Sequence, residues 1–364
     1  MKILLLCDSI SRVGGIDKVN RDIINALKQY IELDIILLNE KKIEYESVDI
    51  FFTNLPKVGK FFKRYFLKRK IDEKKFNFIM VTHPFILKYI DKSLMNKTIM
   101  WAWGIDVWGQ YGAFIKKEIN SVKNILTISN FTKLRIVSDL EVKANKIEII
   151  PNCIELDSFT YKSLNKFLPF TLLTVGRLDA NEQYKGHDLV IKALAQLKEK
   201  NLNIIYNIVG DGTDRKRLEK LAKDLKVDNQ VNFLGKVSFD EIKKAYHDCH
   251  LFIMPSFYSI RPDGYATGEG FGIVYLEAGA SGRAVIGCDV GGQTDYIRDG
   301  INGLLVKPDE RDIAQKIESL YGKFDLLEKM GRNGRKIVEE EFSMDRFERD
   351  LKNFLKEITN VNKV

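Results

Sequence analysis

Glu269-Gly270-Phe271-Gly272-Ile273-Val274-Tyr275-Leu276-Glu277 sets two carboxylates eight residues apart around a Gly-x-Gly. A β-like apolar run, Leu251 to Pro255, precedes it and a helix-like run, Ile273 to Ala280, follows. The glycines therefore sit where strand hands over to helix, and a helix N-terminus favours anions. Gly270 and Gly272 let backbone N–H groups approach a diphosphate or sugar hydroxyls closely, with Phe271 between them. One carboxylate accepts two hydroxyl hydrogens at once, so Glu269 on the loop and Glu277 on the first turns of the helix suit a ribose diol and a transferred sugar. A surface loop before an amphipathic helix capped by Glu is the plainer alternative.

Outward from this stretch, short apolar runs alternate with helix-like segments. Ile3–Leu6, Leu33–Leu38, Phe78–Val81, Ile99–Trp103, Ile125–Ile128 and Ile147–Ile150 read as one set of strands. Phe170–Val175, Ile204–Val209, Val231–Leu234, Leu251–Met254, Ala284–Gly287 and Gly303–Val306 read as a second. Alternation of this kind implies right-handed crossovers and parallel, doubly wound sheets. The fold class expected is α/β, two Rossmann-like halves facing each other. Residues 157–168 lack clear periodicity and mark the boundary. In open α/β sheets ligands sit beyond the carboxyl ends of the strands, so an interdomain cleft is the default site.

The 364-residue chain is long enough for two domains, and 45% hydrophobic with 30% charged residues reads as soluble and globular. No apolar run approaches the ~20 residues a bilayer span needs, and Met1 to Cys7 reads as a buried strand rather than a signal peptide. Cys7, Cys153, Cys249 and Cys288 lie in or beside apolar runs without C-x-x-C spacing, as expected of reduced thiols in the cytoplasm. The formal charge of +8 calls for an anionic partner without choosing one, a lysine-rich solvated surface being the alternative. The basic residues form no recognisable nucleic-acid-reading module.

Several other stretches carry candidate chemistry. Gly14-Gly15 follows the first strand and opens a helical segment, reading either as a phosphate approach or as a simple turn. Gly210-x-Gly212 falls short of a dinucleotide fingerprint, because Arg215 stands at the third glycine position. Residues 57–75 gather Phe61, Phe62, Tyr65 and Phe66 between Lys60, Lys63, Arg64 and Lys68, the pattern of an interfacial helix on an anionic membrane and equally of a core-packing helix with basic flanks. Asp106 reads as a sugar or acceptor contact or as a helix N-cap, and His83, at a strand end, reads as an acceptor-side or a structural residue. Arg261 and Tyr265, on a polar loop before Glu269, are further acceptor candidates. His247-x-x-His250 runs from a helix into a buried strand and is not read as a metal site. No Asp-x-Asp occurs.

Glu269 to Ala278, then Gly282-Arg-Ala-Val-Ile286, Asp289-Val-Gly-Gly292 and Asp299-Gly-Ile-Asn-Gly-Leu-Leu305, together resemble the C-terminal signature of retaining family-4 glycosyltransferases of the two-domain GT-B fold. The resemblance implies an acceptor-binding domain at 1–162, a nucleotide-sugar-binding domain at 163–340 and a helix at 341–364 packing back on the first. It puts Gly14 and Gly15 against the donor phosphates and the backbone near Gly210 and Val237 against the donor. Arg177 and Lys185 then grip the diphosphate as it leaves. Trp101 to Trp108 resembles the family's His-Gly-x-Asp segment, with Trp103 in the histidine's position and Asp106 as its aspartate. Ser129 to Thr132 and Ile150 to Glu155 resemble crossover segments, Cys153 and Glu155 replacing the usual Gly and Asp. The expected activity is hexosyl transfer, metal-independent and without a cofactor, from a nucleoside diphosphate sugar to a glycan or lipid-linked acceptor in cell-surface polysaccharide or glycolipid synthesis, in the cytoplasm or at the inner membrane face. A catalytically inactive sugar-nucleotide-binding GT-B protein is the alternative.

Overall fold

The computed structural model describes residues 1–10, 14–38, 50–52, 65, 67–69, 71, 75–109, 111, 113–167 and 169–360. They form two compact units, Met1–Asn152 with Asp345–Val364, and Cys153–Met344.

The first unit is built on strands β1 (Lys2–Cys7), β2 (Glu32–Leu37), β3 (Ile50–Phe52), β4 (Phe78–Val81), β5 (Thr98–Ala102), β6 (Asn124–Thr127) and β7 (Ile147–Ile149). Their order in the sheet is β3-β2-β1-β4-β5-β6-β7, every pair parallel. β1 lies inside the sheet between β2 and β4, and Ile3, Leu4, Leu5, Leu6 and Cys7 are all buried. A strand covered on both faces has no use for alternation, which is why it reads as a continuous apolar run. β3, three residues long, escaped the sequence reading.

The second unit adds β8 (Phe170–Val175), β9 (Ile204–Val209), β10 (Val231–Gly235), β11 (Leu251–Ile253), β12 (Ser259–Ile260), β13 (Ala266–Thr267), β14 (Ala284–Cys288) and β15 (Gly303–Val306). Six of these make a parallel sheet in the order β10-β9-β8-β11-β14-β15, while β12 and β13 pair as a separate antiparallel hairpin. The chain runs outward from β8 to β10, then returns to β11 on the other side of β8. The order therefore reverses between β8 and β11, and no helix can cover both carboxyl ends there. The first unit has the same reversal between β1 and β4.

Residues 153–162, assigned on sequence to the first domain, pack in the second unit. Ile154 donates its backbone N–H to Phe342 O at 2.9 Å, and the Phe159 ring meets Phe239 edge-on at 5.6 Å. Arg335 clamps the segment by donating to Phe159 O at 2.6 Å. The C-terminal helix Met344–Asn360 belongs to the first unit from Asp345 onward. It buries Phe347, Leu351, Phe354, Leu355 and Ile358, one stripe at helical spacing. The Phe347 ring stacks on Trp101 of β5 at 6.2 Å, and Arg346 donates to Pro151 O at 2.8 Å and Asn152 O at 2.9 Å.

All four cysteines are free and buried. Among the described residues no helix is long and apolar enough to cross a membrane. The basic aromatic stretch 57–75 lies largely outside the described residues. Phe347→Ala removes a fully buried ring from the first unit and is expected to cost about 3–5 kcal/mol in chemical denaturation followed by tryptophan emission. A loss below about 1 kcal/mol would mean that this helix does not hold the unit together.

Candidate active site

In the second unit the candidate residues collect at the β8–β11 reversal. Gly176 and Arg177 leave the carboxyl end of β8, and a 3₁₀ turn, Gln183–Lys185, brings Lys185 back over it. The Lys185 stem lies along Gly176, where a Cβ would make ordinary contact with Cδ at 3.7 Å. On the other side of the reversal, Tyr184 O accepts the Phe257 N–H at 2.8 Å, tying this turn to the segment after β11. Both cations meet one carboxylate. Glu182 takes Arg177 Nη2 on Oε1 and Lys185 Nζ on Oε2, the latter at 2.8 Å. The Arg177 side chain is 73% exposed and that of Lys185 only 11%. His187, two residues beyond Lys185, adds no charge, since burial pulls its pKa down to about 4.

Glu269 belongs to the same charge cluster. Burial raises its carboxyl above the ordinary range, while Lys185 and Arg177 pull it back. Its backbone carbonyl accepts Gly292 N–H at 2.8 Å, which joins the loop to the one after β14. Gly272 is the N-cap of the helix Ile273–Ala280, in the left-handed region at φ 85°. That conformation turns the chain sharply from loop into helix at no steric cost to glycine. The Phe271 side chain is buried against Phe342, with ring centroids 5.6 Å apart, so only its backbone is open to a ligand. Glu277 lies one helical turn further on, where Tyr246 donates its hydroxyl to Oε2 at 2.8 Å.

Gly210 answers first to packing. It pairs with Gly235 through Gly210 N–H to Gly235 O at 2.8 Å, and a Cβ on it would fall 1.9 Å from Gly176 O. Its hydrogen thus lets the β9 end press on the residue before Arg177. Val237 is half-buried on the link between β10 and Ser238, which begins the helix Phe239–Asp248 with a capping box to Glu241.

Sequence reasoning missed three residues. Glu182 was one acid among 50. Tyr246 belongs to a helix whose contact with Glu277 is 31 positions away in the chain. Gln293 is fully buried and donates from Nε2 to Val290 O at 2.7 Å and Ser256 O at 2.8 Å, so one amide fixes two of the loops. The carboxylate between Arg177 and Lys185 was the one signal available in the sequence. The ring nitrogens of His250 are spent on backbone, Nδ1 accepting Thr171 N–H at 3.0 Å and Nε2 lying 3.0 Å from Asn165 O.

The first unit holds the remaining candidates. Gly14 is the exposed N-cap of the helix Gly15–Lys28, and a Cβ on it would meet nothing within 4 Å among the described residues. His83, at the β4 end, accepts Phe85 N–H on Nδ1 at 3.2 Å, and burial lowers its pKa. Burial thus favours the neutral imidazole, with Nδ1 serving as the acceptor. Trp103 donates its indole N–H to Thr82 O at 2.6 Å and stacks on Trp101 at 5.1 Å. Its only side-chain donor is thus consumed between β4 and β5. Asp106 Oδ1 accepts the backbone N–H groups of Trp103 at 2.9 Å and Gly104 at 2.7 Å, the turn-capping geometry of the plainer reading. Oδ2 is buried without a hydrogen-bond partner, and burial raises the pKa to about 7 against those two donors. In the second unit Arg261 and Tyr265 lie on the β12–β13 turn. Arg261 pairs with Asp263 at 2.7 Å and Tyr265 is 48% exposed.

Two outcomes follow from this geometry. Gly210→Ala is expected to lower stability by about 1–3 kcal/mol, because the clash is with backbone that has nowhere to move; an unchanged melting temperature would contradict the close approach. A carboxyl whose folded pKa exceeds its unfolded value contributes stability below the unfolded pKa and loses it as pH rises through the folded one. The Asp106 contribution should therefore be lost between pH 4 and pH 8, while buried His187 and His83 contribute in the opposite sense. Asp106→Asn, which keeps the Oδ1 acceptor, removes only the Asp106 part, so its melting temperature relative to the wild type should increase with pH across that range.

Residues 162–337 match a family model described as Glycosyl transferases group 1. The chain is 31% identical over 253 residues to an uncharacterized glycosyltransferase of Methanocaldococcus jannaschii, covering 66% of this chain and 60% of that one. It is 28% identical over 253 residues to a GDP-mannose-dependent alpha-(1-6)-phosphatidylinositol monomannoside mannosyltransferase of Mycobacterium tuberculosis, covering 66% and 64%. The chain thus spans less than two thirds of the length of these relatives. Among solved structures, a glycosyltransferase from Rickettsia africae superposes with a TM-score of 0.78 at 21% identity, covering 98% of each chain. HepE of Anabaena, in complex with UDP and glucose, gives 0.76 at 18%, covering 98% of this chain and all of that one. At these identities the structures establish the fold, which is GT-B.

Proposed function

We propose that the chain, whose residues 162–337 match the model of the group 1 glycosyl transferases, is a retaining, metal-independent hexosyltransferase. Its donor in this reading is a nucleoside diphosphate sugar, and its acceptor is a hydroxyl of a glycan or a lipid-linked saccharide. One observation carries the proposal: Arg177, Lys185 and Glu269 share one charge cluster at the strand-order reversal. Two cations suit a diphosphate, and a buried carboxylate beside them suits the hydroxyls of the sugar attached to it. The relatives support the substrate class, one being named for GDP-mannose and another having been crystallised with UDP and glucose.

In the proposed reaction the bond from sugar C1 to the diphosphate breaks and the acceptor oxygen bonds to C1 on the same face. The acceptor's proton passes to the departing phosphate oxygen. Arg177 and Lys185 neutralise the charge that grows on the leaving group, the N-terminus of the helix Ile273–Ala280 adds its dipole, and Glu269 holds the sugar by its hydroxyls. Metal independence rests on these cations and on the lack of an Asp-x-Asp in the sequence. The rival reading, binding without catalysis, draws on Trp103, whose indole N–H is already used on Thr82.

The test is a panel of UDP-, GDP- and ADP-sugars with and without EDTA, scored by release of nucleoside diphosphate. Release from one donor, unaffected by EDTA and reduced roughly 100-fold or more in Glu269→Gln and Lys185→Ala, is expected. Binding of a donor with no release under any acceptor supplied favours the rival. The anionic surface proposed for residues 57–75 is checked by sedimentation with vesicles. Binding to phosphatidylglycerol vesicles, but not to phosphatidylcholine ones, should disappear when Lys60, Lys63, Arg64 and Lys68 become Gln.

A further inference from the structure

Glu182 is neither a sugar ligand nor a turn-former in any motif of the sequence, yet it sits on both cations of the proposed diphosphate site. Its two oxygens divide the work, Oε1 toward Arg177 and Oε2 toward Lys185 at 2.8 Å. A carboxylate spanning two cations in this way takes the position that bridging phosphate oxygens need.

The turn that carries Glu182 does not depend on that carboxylate. Glu182 N–H donates to Asp179 O at 2.8 Å, and Glu182 O accepts Lys185 N–H at 3.1 Å. The side chain can therefore swing away while the loop stays folded. The two pairs differ in cost. Arg177 is 73% exposed, so its pair with Glu182 is screened by water and cheap to break. Lys185, 11% exposed, is not easily left without a counter-charge, but Glu269 also faces it. With Glu182 in place, the four charges of Arg177, Lys185, Glu182 and Glu269 cancel, and a diphosphate meets no net attraction. With Glu182 displaced, it meets a net positive charge.

We propose that Glu182 is an internal counter-ion that competes with the diphosphate for Arg177 and Lys185: it yields both cations as the donor binds and reclaims them as the nucleoside diphosphate leaves. It is a positioning residue, acting through the two cations rather than on the sugar. This rests on the nucleotide-sugar reading above. Its consequence is a weaker but faster-released product, which matters wherever product release limits turnover.

The full-length chain is titrated calorimetrically with UDP, GDP and ADP and with the matching nucleosides, as wild type, Glu182→Gln and Glu182→Ala, each checked for an unchanged circular dichroism spectrum. The expected result is that the diphosphate bound by wild type binds roughly three- to tenfold tighter to whichever neutral variant folds, with nucleoside affinity unchanged. The donor KM should fall by the same factor, and Glu182→Asp, which keeps the charge, should stay within about twofold of wild type. Equal or weaker diphosphate binding by a folded neutral variant overturns the proposal and makes Glu182 an orienting strut for the cations. If wild type and all variants bind no nucleoside diphosphate, the nucleotide-sugar reading itself fails, an outcome distinct from the first.

Discussion

The second unit is governed by a topological constraint, the reversal of strand order between β8 and β11. Parallel strands joined by right-handed crossovers must be covered by helices on both faces, and at a reversal the covering helices diverge. The carboxyl ends there are left to loops. The loops are then forced close together by backbone contacts, Gly210 against Gly176 O and Gly292 N–H on Glu269 O. Everything with chemical potential in this unit stands on that edge because it is the one place where polar groups from several strands can converge without being buried under a helix.

Convergence has an electrostatic cost, and the two units meet it differently. Glu269 is desolvated but shares its surroundings with two cations, so its charged form is partly supported. Asp106 is desolvated with backbone N–H donors but no cation beside it among the causes of its shift, and its pKa climbs to about 7. The same pressure thus raises both carboxyls, Glu269 against the pull of two cations and Asp106 against backbone N–H groups alone. The cations in turn are held at rest by Glu182, so the charge cluster is balanced internally.

Much of this was legible in the sequence. Long apolar runs announced all six strands of the second sheet and six of the seven in the first, because a strand buried on both faces cannot hide its composition. Glu269 and Gly272 stood out because a strand end and a helix start are visible as changes of period, while Arg177 and Lys185 were singled out through the family resemblance. Glu182, Tyr246 and Gln293 did not stand out, since their importance lies in a partner rather than in a local pattern. Trp103 shows the limit from the other side. Its sequence position suggested a place near substrate, but a tryptophan's single donor went to Thr82 O, a carbonyl 21 residues earlier in the chain.

The sequence by itself determined the two parallel sheets, the loops at their carboxyl ends and the list of charges those loops carry, because burial and turn chemistry act over a few residues. Tertiary structure alone decided which charges meet. Glu182 joins Arg177 to Lys185 and Tyr246 holds Glu277. The reason is physical: Coulombic and hydrogen-bond energies depend on distances of 3 to 4 Å in space, and separation along the chain does not encode those distances once strands have crossed over one another.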